Sequence, residues 1–251
     1  AYAVGTSTFN GGPHFIDISN PLNPIPAGGY GDDSYSHDAQ VVTYSGPDTE
    51  HLGKEILIGS NANEIVIVDI TNKNNPIGLS TISYSNVAYT HQGWFTEDQR
   101  YFIVGDEVDE LNIGFNTRTI ILDFEDLDNP QFHFEYEGST QAIDHNGYVK
   151  GDKYYLSSYR AGMRVLDISD IENGTMTELG FFDTYPESNS ANFNGVWNVY
   201  PYFASNNIVI SDIERGFFLV RDPSLVQEET TLNDFEIAPN PAKENIRITA
   251  T

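Results

Sequence analysis

The segment IVIVDITNKNNPIGLSTISY at residues 65–84 decides the fold. It opens with an apolar run that ends at Asp69, passes through a turn rich in Asn and Pro, and leads into a second strand-like run. An apolar run of this length bounded by turn residues is typical of a β-strand, and Asn-Pro cannot continue one. The same plan recurs, more loosely towards the end of the chain, at 14–30, 119–136, 163–185 and 217–226.

The residue that ends the first strand of each copy marks the repeat period. It is Asp17, Asp69, Asp123 and Asp167, with Arg221 in the fifth copy. A period of roughly 40–50 residues that carries four strands is typical of a β-propeller blade. Each aspartate is expected to accept hydrogen bonds from amides of the turn that follows it.

We therefore predict an all-β protein, a β-propeller of four-stranded blades, with five repeat units visible in residues 1–226. In the second unit the strands are expected at HDAQVVTY, EILIGS, EIVIVDI and GLSTISY. The first unit lacks its innermost strand and the last lacks a clear outermost strand. We accordingly expect an N-terminal part of the propeller to be missing from the chain.

The composition of the chain argues against several classes of binding partner and site. The formal net charge is −25, from 37 acidic and 12 basic residues, which argues against nucleic acid and against an anionic membrane surface. No apolar run reaches the roughly 18 residues of a membrane span. The chain has no cysteine, so neither a disulfide nor a thiolate metal site can form.

The sequence changes character after residue 226. Residues 227–234 are polar and acidic and predict a linker, whereas 235–251 alternate in a way that predicts the beginning of a second, small β-domain.

Longer motifs indicate a family. The repeat resembles the LVIVD repeat, and SHDAQ (36–40), HQGWFTEDQRYFIVGDEVDE (91–110) and DHNGYVKGDKYYLSSYRAGMRVLDIS (144–169) resemble the choice-of-anchor B family over residues 1–226. That family consists of extracellular bacterial proteins expected to be β-propellers, and the resemblance carries no established activity with it.

The tail FEIAPNPAKENIRI at 235–248 is similar to the opening of the C-terminal sorting domain of type IX secretion cargo. This resemblance implies a Bacteroidetes-type bacterium, contact with the type IX secretion machinery, and a final location outside the cell or on its outer surface.

Three histidines share the blade period. His37, His91 and His145 are separated by two intervals of the same length, since 91 − 37 and 145 − 91 both equal 54. Each stands at the start of the innermost strand of its unit, so we expect all three at one end of the central channel. The fourth equivalent position is expected near Asn194, where no histidine occurs.

The second strand of each unit returns to the same end, which adds Glu107 to the group. Imidazoles and a carboxylate at one locus suit a divalent metal ion, and Zn, Mn or Fe fits such a set better than Ca. We predict that His37, His91, His145 and Glu107 bind this ion. Residues expected in a second shell or in contact with a ligand are Asp38, Gln92, Asp106, Asp144, Asn146, Arg160, Arg215, Trp94 and Trp197. A polar network without metal, and a metal-free ligand or catalytic site, are the alternatives; His14, His51 and His133 are expected to be ordinary strand or surface histidines.

Three functional hypotheses follow. The first is a secreted or cell-surface binding or display protein with this His-rich, metal-binding site, which could contact an extracellular polymer or a surface partner. The second is a metal-dependent extracellular hydrolase or lyase that uses the same site with an open coordination position. The third is a purely structural or adhesive surface protein.

Overall fold

Six antiparallel sheets make up the computed structural model, which describes residues 1–221, 236–238 and 247–249. The first blade contains β1 (Tyr2–Ala3), β2 (His14–Asp17) and β3 (Ile25–Gly29). The second contains β4 (Asp38–Thr43), β5 (Glu55–Ser60), β6 (Ile65–Asp69) and β7 (Ile77–Ile82). The third contains β8 (Thr90–Phe95), β9 (Tyr101–Asp106), β10 (Arg118–Asp123) and β11 (Gln131–Glu137).

The remaining blades continue the pattern. The fourth contains β12 (Gly147–Lys150), β13 (Lys153–Ser158), β14 (Gly162–Asp167) and β15 (Thr177–Phe182). The fifth contains β16 (Val196–Tyr200), β17 (Asn207–Asp212) and β18 (Gly216–Arg221). One helical turn, α1 (Asp109–Asn112), and two 3₁₀ turns, Phe9–Gly11 and Ile171–Asn173, complete this part of the chain.

These sheets have the strand order of propeller blades, which confirms the predicted all-β propeller fold. Within each sheet, strands pair with their sequence neighbours, and among residues 1–221 the first and last blades show three strands rather than four. The first strands of successive blades contact one another, β4 with β8, β8 with β12 and β12 with β16. The first strand of a blade is therefore the one that approaches the propeller axis.

The continuous apolar runs in the middle strands follow from burial on both faces of each blade. In the second blade, Ile65 and Ile67 pack towards the third blade, against Phe102 and Leu122. Val66 and Val68 point to the opposite face and pack in the cluster that includes Phe15 of the first blade. The middle strands of a blade between two others are therefore covered on both faces and need apolar residues at successive positions.

The turn after each middle strand is closed by the repeated aspartate, as predicted. The carboxylate accepts a hydrogen bond from the amide two residues later in all four copies. The donors and N···O distances are Ser19 to Asp17 (2.8 Å), Thr71 to Asp69 (3.0 Å), Glu125 to Asp123 (2.9 Å) and Ser169 to Asp167 (2.8 Å). Four equivalent bonds explain why Asp recurs at this position.

Two short strands, β19 (Glu236–Ala238) and β20 (Arg247–Thr249), pair antiparallel with each other. The predicted linker at 227–234 lies outside the described residues. The boundaries of the propeller and of the sorting β-domain therefore stay predictions.

Candidate metal centre

The blade period places the three histidines in one row. The ring centroids of His37 and His91 are 4.4 Å apart, and those of His91 and His145 are also 4.4 Å apart. His91 and His145 are buried, whereas His37 is half-buried. Side chains from three blades, far apart in sequence, thus stack at one end of the propeller.

A tryptophan occupies the fourth position of this row. The ring of Trp197 lies 4.4 Å from that of His145, so the expected position near Asn194 is wrong by three residues. The reason is a β-bulge in β16. Val196 pairs with Asp212 and Asn198 with Ser211, which leaves Trp197 bulged out between them.

His91 has the same backbone environment. Thr90 pairs with Asp106 and Gln92 with Gly105, so His91 is the extra residue of a bulge between them. A bulge breaks the alternation of the strand and turns one side chain in a new direction. The two bulges, in β8 and β16, therefore orient the side chains of His91 and Trp197 along the row.

Glu107 completes a compact group with two of the histidines. It follows β9, and its amide donates to the carbonyl of Tyr89 at 3.1 Å. One carboxylate oxygen, Oε2, lies 3.6 Å from Nε2 of His91, and the other, Oε1, lies 3.7 Å from Nε2 of His145. Ligand atoms of the three residues lie within 4.8 Å of one another.

Both separations are too long for hydrogen bonds, and the 3.6 Å between Nε2 of His91 and Oε2 of Glu107 suits two ligands of one ion. Two donors that each lie about 2.1 Å from a tetrahedral ion are roughly 3.4 Å apart. His145 donates its Nδ1 proton to the carbonyl of Trp197 at 2.5 Å, so its Nε2 carries a lone pair. A lone pair that faces a carboxylate oxygen is electrostatically unfavourable unless a cation or a proton lies between them.

Burial keeps both imidazoles neutral. Desolvation lowers the pKa of His91 to about 2 and that of His145 to about 4. Burial also raises the pKa of Glu107 from its usual value, and the hydrogen bond from the Tyr159 hydroxyl opposes that rise. Because metal ligation requires unprotonated imidazole, both histidines are in the form that an ion needs at neutral pH.

His37 lies beside this group and is held by a different set of contacts. Its Nδ1 is 2.8 Å from the Tyr35 hydroxyl and 2.9 Å from the Tyr89 hydroxyl. The compact group within 4.8 Å contains His91, Glu107 and His145 but not His37. A role for His37 as a fourth ligand stays a prediction. The two tyrosines each stand two residues before a histidine of the row, a Tyr-x-His pattern that could have identified them from the sequence.

Three of the predicted second-shell residues bond neighbouring segments around the row, and a fourth, Asp38, bonds the amide next to it. Asp106 accepts hydrogen bonds from the amides of Ala88 and Tyr89, both at 2.7 Å. Gln92 bonds both the amide and the carbonyl of Gly147, which joins β8 to β12. The side-chain amide of Asn146 donates to Asn198 at 3.3 Å. Asp38 accepts from the adjacent amide of Ala39 at 2.6 Å.

Three other predicted second-shell residues make their contacts away from the three histidines. Trp94 packs edge-on against Tyr148, with ring centroids 4.9 Å apart. Arg160 donates to the side chain of Asn194, and Arg215 pairs with Glu187 at the exposed surface. The structure therefore does not bring the two arginines into contact with Glu107.

A buried acidic cluster, defined here as Asp109, Glu110 and Asp144, adjoins the row. Asp144 is fully buried, and neither of its carboxylate oxygens has a hydrogen-bond partner among the described residues. Arg118 donates to Asp109 at 2.7 Å. Desolvation, together with the neighbouring charges of Asp144 and Asp109, raises the pKa of Glu110.

A second His-carboxylate group joins the second and third blades. Nε2 of His51 lies 2.8 Å from Asp128 and 3.8 Å from Asp48. The ammonium of Lys54 lies 3.0 Å from Nδ1 of His51, so Nδ1 accepts from it and Nε2–H donates to Asp128. A metal ion on Nε2 would force a proton onto Nδ1, facing Lys54. This geometry favours an inter-blade hydrogen bond over a metal site.

No family model matches the chain, and no curated protein matches it either. Several solved structures do resemble the chain in fold. A protein from Lactobacillus plantarum superposes with a TM-score of 0.63 at 14% identity, covering 99% of this chain and 66% of its own. The β-propeller domain of Myceliophteria thermophila Cps50 (Swd1) superposes with a TM-score of 0.52 at 10% identity, covering 85% of this chain and 65% of its own.

The fold and these likenesses define the class as a β-propeller, and the chain spans about two thirds of the length of the two structures. Identities this low support the fold alone. Among the residues that the structure describes, no helix is both long and apolar enough to cross a bilayer.

Proposed function

We propose that this β-propeller is a secreted or cell-surface binding protein that holds one divalent metal ion between His91, His145 and Glu107. One observation carries the proposal. Two buried, neutral imidazole nitrogens face different oxygens of the same carboxylate at 3.6 Å and 3.7 Å. At His145, where Nε2 carries the lone pair, this approach is unfavourable unless a cation or a proton lies between the two atoms, and a cation there would gain three ligands.

The ligand types favour Zn, Mn or Fe over Ca. Two imidazole nitrogens and one carboxylate suit borderline transition metals, whereas Ca²⁺ takes six to eight oxygen ligands. The ion would join the third blade, which supplies His91 and Glu107, to the fourth, which supplies His145. His37, whose ring stacks on that of His91, is proposed as a further ligand of the ion or of a molecule bound to it.

Export rests on the resemblance of residues 235–248 to a type IX sorting domain, and membership of the choice-of-anchor B family on the motifs at 36–40, 91–110 and 144–169. Both would place the propeller outside a Bacteroidetes-type cell, with the secretion machinery as one partner and an extracellular polymer or surface protein as another. Recovery of a tail-deleted chain inside the cell and of the full chain outside it would support export. Equal release of the two would contradict it.

Elemental analysis of purified protein tests the metal proposal. We expect about one equivalent of Zn, Mn or Fe per chain, lost in His145→Gln and retained in His51→Gln. The His51 variant is a matched control, because it removes a buried histidine that also contacts carboxylates but is bonded to Lys54. Wild-type protein that takes up no ion, or a His51 variant that loses it, would contradict the proposal.

A metal-dependent hydrolase or lyase is the second candidate, and one observation favours it. The compact group offers three protein ligands, and catalytic zinc sites keep three with water at the fourth position. Metal-loaded protein should then hydrolyse members of a panel of chromogenic esters, and Glu107→Gln should not. Equal rates for the two proteins would exclude this site as the source of activity.

A further inference from the structure

Tyr159 contacts the carboxylate of the proposed metal site from the fourth blade. It follows β13 and is 1% exposed. Its hydroxyl donates to Oε1 of Glu107 at 2.8 Å, the same oxygen that lies 3.7 Å from Nε2 of His145. This is the one protein hydrogen bond that the side chain of Glu107 makes within the described part of the chain.

The backbone of Tyr159 is fixed by the next blade. Its carbonyl accepts from the amide of Val196 at 2.9 Å, in an isolated bridge between the fourth and fifth blades. Its ring lies 5.1 Å from that of His145 and 5.4 Å from that of Phe193. A phenol held on both sides in this way directs its hydroxyl to a fixed point.

Without this bond the carboxylate would be free to rotate. The terminal torsion of a glutamate side chain is broad and roughly two-fold, so its two oxygens exchange places easily. A hydrogen bond to Oε1 selects one orientation and occupies one lone pair of that oxygen. It leaves Oε2, which faces His91 at 3.6 Å, as the carboxylate oxygen with both lone pairs available to an ion.

We propose that Tyr159 is a positioning residue that holds Glu107 as a one-oxygen ligand and so makes the site select tetrahedral ions such as Zn²⁺. The inference rests on the proposed metal site and adds the determinant of its selectivity. Zn²⁺ binds in tetrahedral sites with few ligands, whereas Mn²⁺ favours octahedral, oxygen-rich sets. A carboxylate free to use both oxygens would therefore favour Mn²⁺ relative to Zn²⁺.

The Tyr159→Phe variant tests this role, and Tyr154→Phe is its matched control. Tyr154 belongs to the same blade, is fully buried, and its hydroxyl has no hydrogen-bond partner among the described residues. The same atom is removed in both variants. Tyr159→Met is a second variant that keeps buried apolar volume without a ring that could repack against Phe193.

Zn²⁺ and Mn²⁺ affinities are measured by competition with a chromogenic chelator, and Co²⁺-loaded protein gives a visible spectrum that reports coordination number. We expect Zn²⁺ to bind 10- to 100-fold more weakly in Tyr159→Phe, as for other residues that orient metal ligands. Mn²⁺ affinity should fall less, and the intense tetrahedral Co²⁺ bands should weaken. Tyr154→Phe should match the wild type within about twofold, well below that orientation effect.

Two results would overturn the inference. Wild-type protein that binds no Zn²⁺ removes the proposed metal site and this role together. Wild-type protein that binds Zn²⁺, with both Tyr159 variants equal to it in affinity and Zn²⁺/Mn²⁺ ratio, removes the positioning role alone.

Discussion

Removing the metal ion should lower the melting temperature of the propeller by a calculable amount. An ion that binds only the folded chain, present at 100 times its Kd, stabilises it by about 2.7 kcal/mol. Unfolding entropy is about 2.1 cal/mol/K per residue, so residues 1–221 contribute about 0.46 kcal/mol/K in total. Chelation should therefore lower Tm by about 6 °C under these conditions.

Scanning calorimetry of the chelator-treated protein, with and without added Zn²⁺, measures this shift. His145→Gln should start from a different Tm, because the bond to the Trp197 carbonyl is lost, and should show no further shift with Zn²⁺. His14→Gln, which changes a histidine of the first blade, should keep the wild-type shift. A wild-type shift near zero, or an undiminished shift in His145→Gln, would refute the reasoning.

Three further predictions concern pH, the repeat and the end of the histidine row. The folded-state pKa of His91, about 2, lies below the usual 6.5, so below pH 6.5 the unfolded chain binds a proton that the folded chain does not. On acidification, the free energy of unfolding of metal-free protein should therefore fall by about 1.4 kcal/mol per pH unit because of this residue. Urea titrations at several pH values should show a shallower pH dependence of that free energy for His91→Gln. Asp69→Ala removes the bond to the Thr71 amide and should cost about 1 kcal/mol, measured as a fall in the urea midpoint relative to wild type. Trp197→Ala should change Zn²⁺ affinity less than about threefold in a chelator competition, because His145 bonds the backbone carbonyl rather than the ring, and a loss of the size expected for an orienting residue would contradict this contact.

Much of the fold could be predicted because the repeat encodes it locally. An apolar run, an aspartate and a turn specify a middle strand and its end, and the five copies specify the five blades of residues 1–221. That the first and last blades show three strands within residues 1–221 could also be predicted, since neither repeat unit has a clear apolar run for a fourth. These features depend on alternation and turn chemistry, which a single sequence shows directly.

The detail of the site could be predicted only in part. The equal intervals indicated that His37, His91 and His145 stack, but the bulge that puts Trp197 rather than Asn194 in the fourth place depends on pairing between strands. The separation of His37 from the compact group likewise depends on hydrogen bonds from Tyr35 and Tyr89, which recur at the blade period, although the period does not show that both hydroxyls reach His37. Glu107 and Tyr159 follow the second strands of successive blades, 52 residues apart, so the repeat brings them to the same end, but the spacing does not show the hydrogen bond between their side chains.

An anomalous difference map from crystals grown with Zn²⁺, with data collected on both sides of the Zn absorption edge, tests the central claim most directly. The predicted result is one peak about 2.0–2.2 Å from Nε2 of His91, Nε2 of His145 and Oε2 of Glu107. A map without a peak at that point, or with its main peak between Asp48, His51 and Asp128, would contradict it.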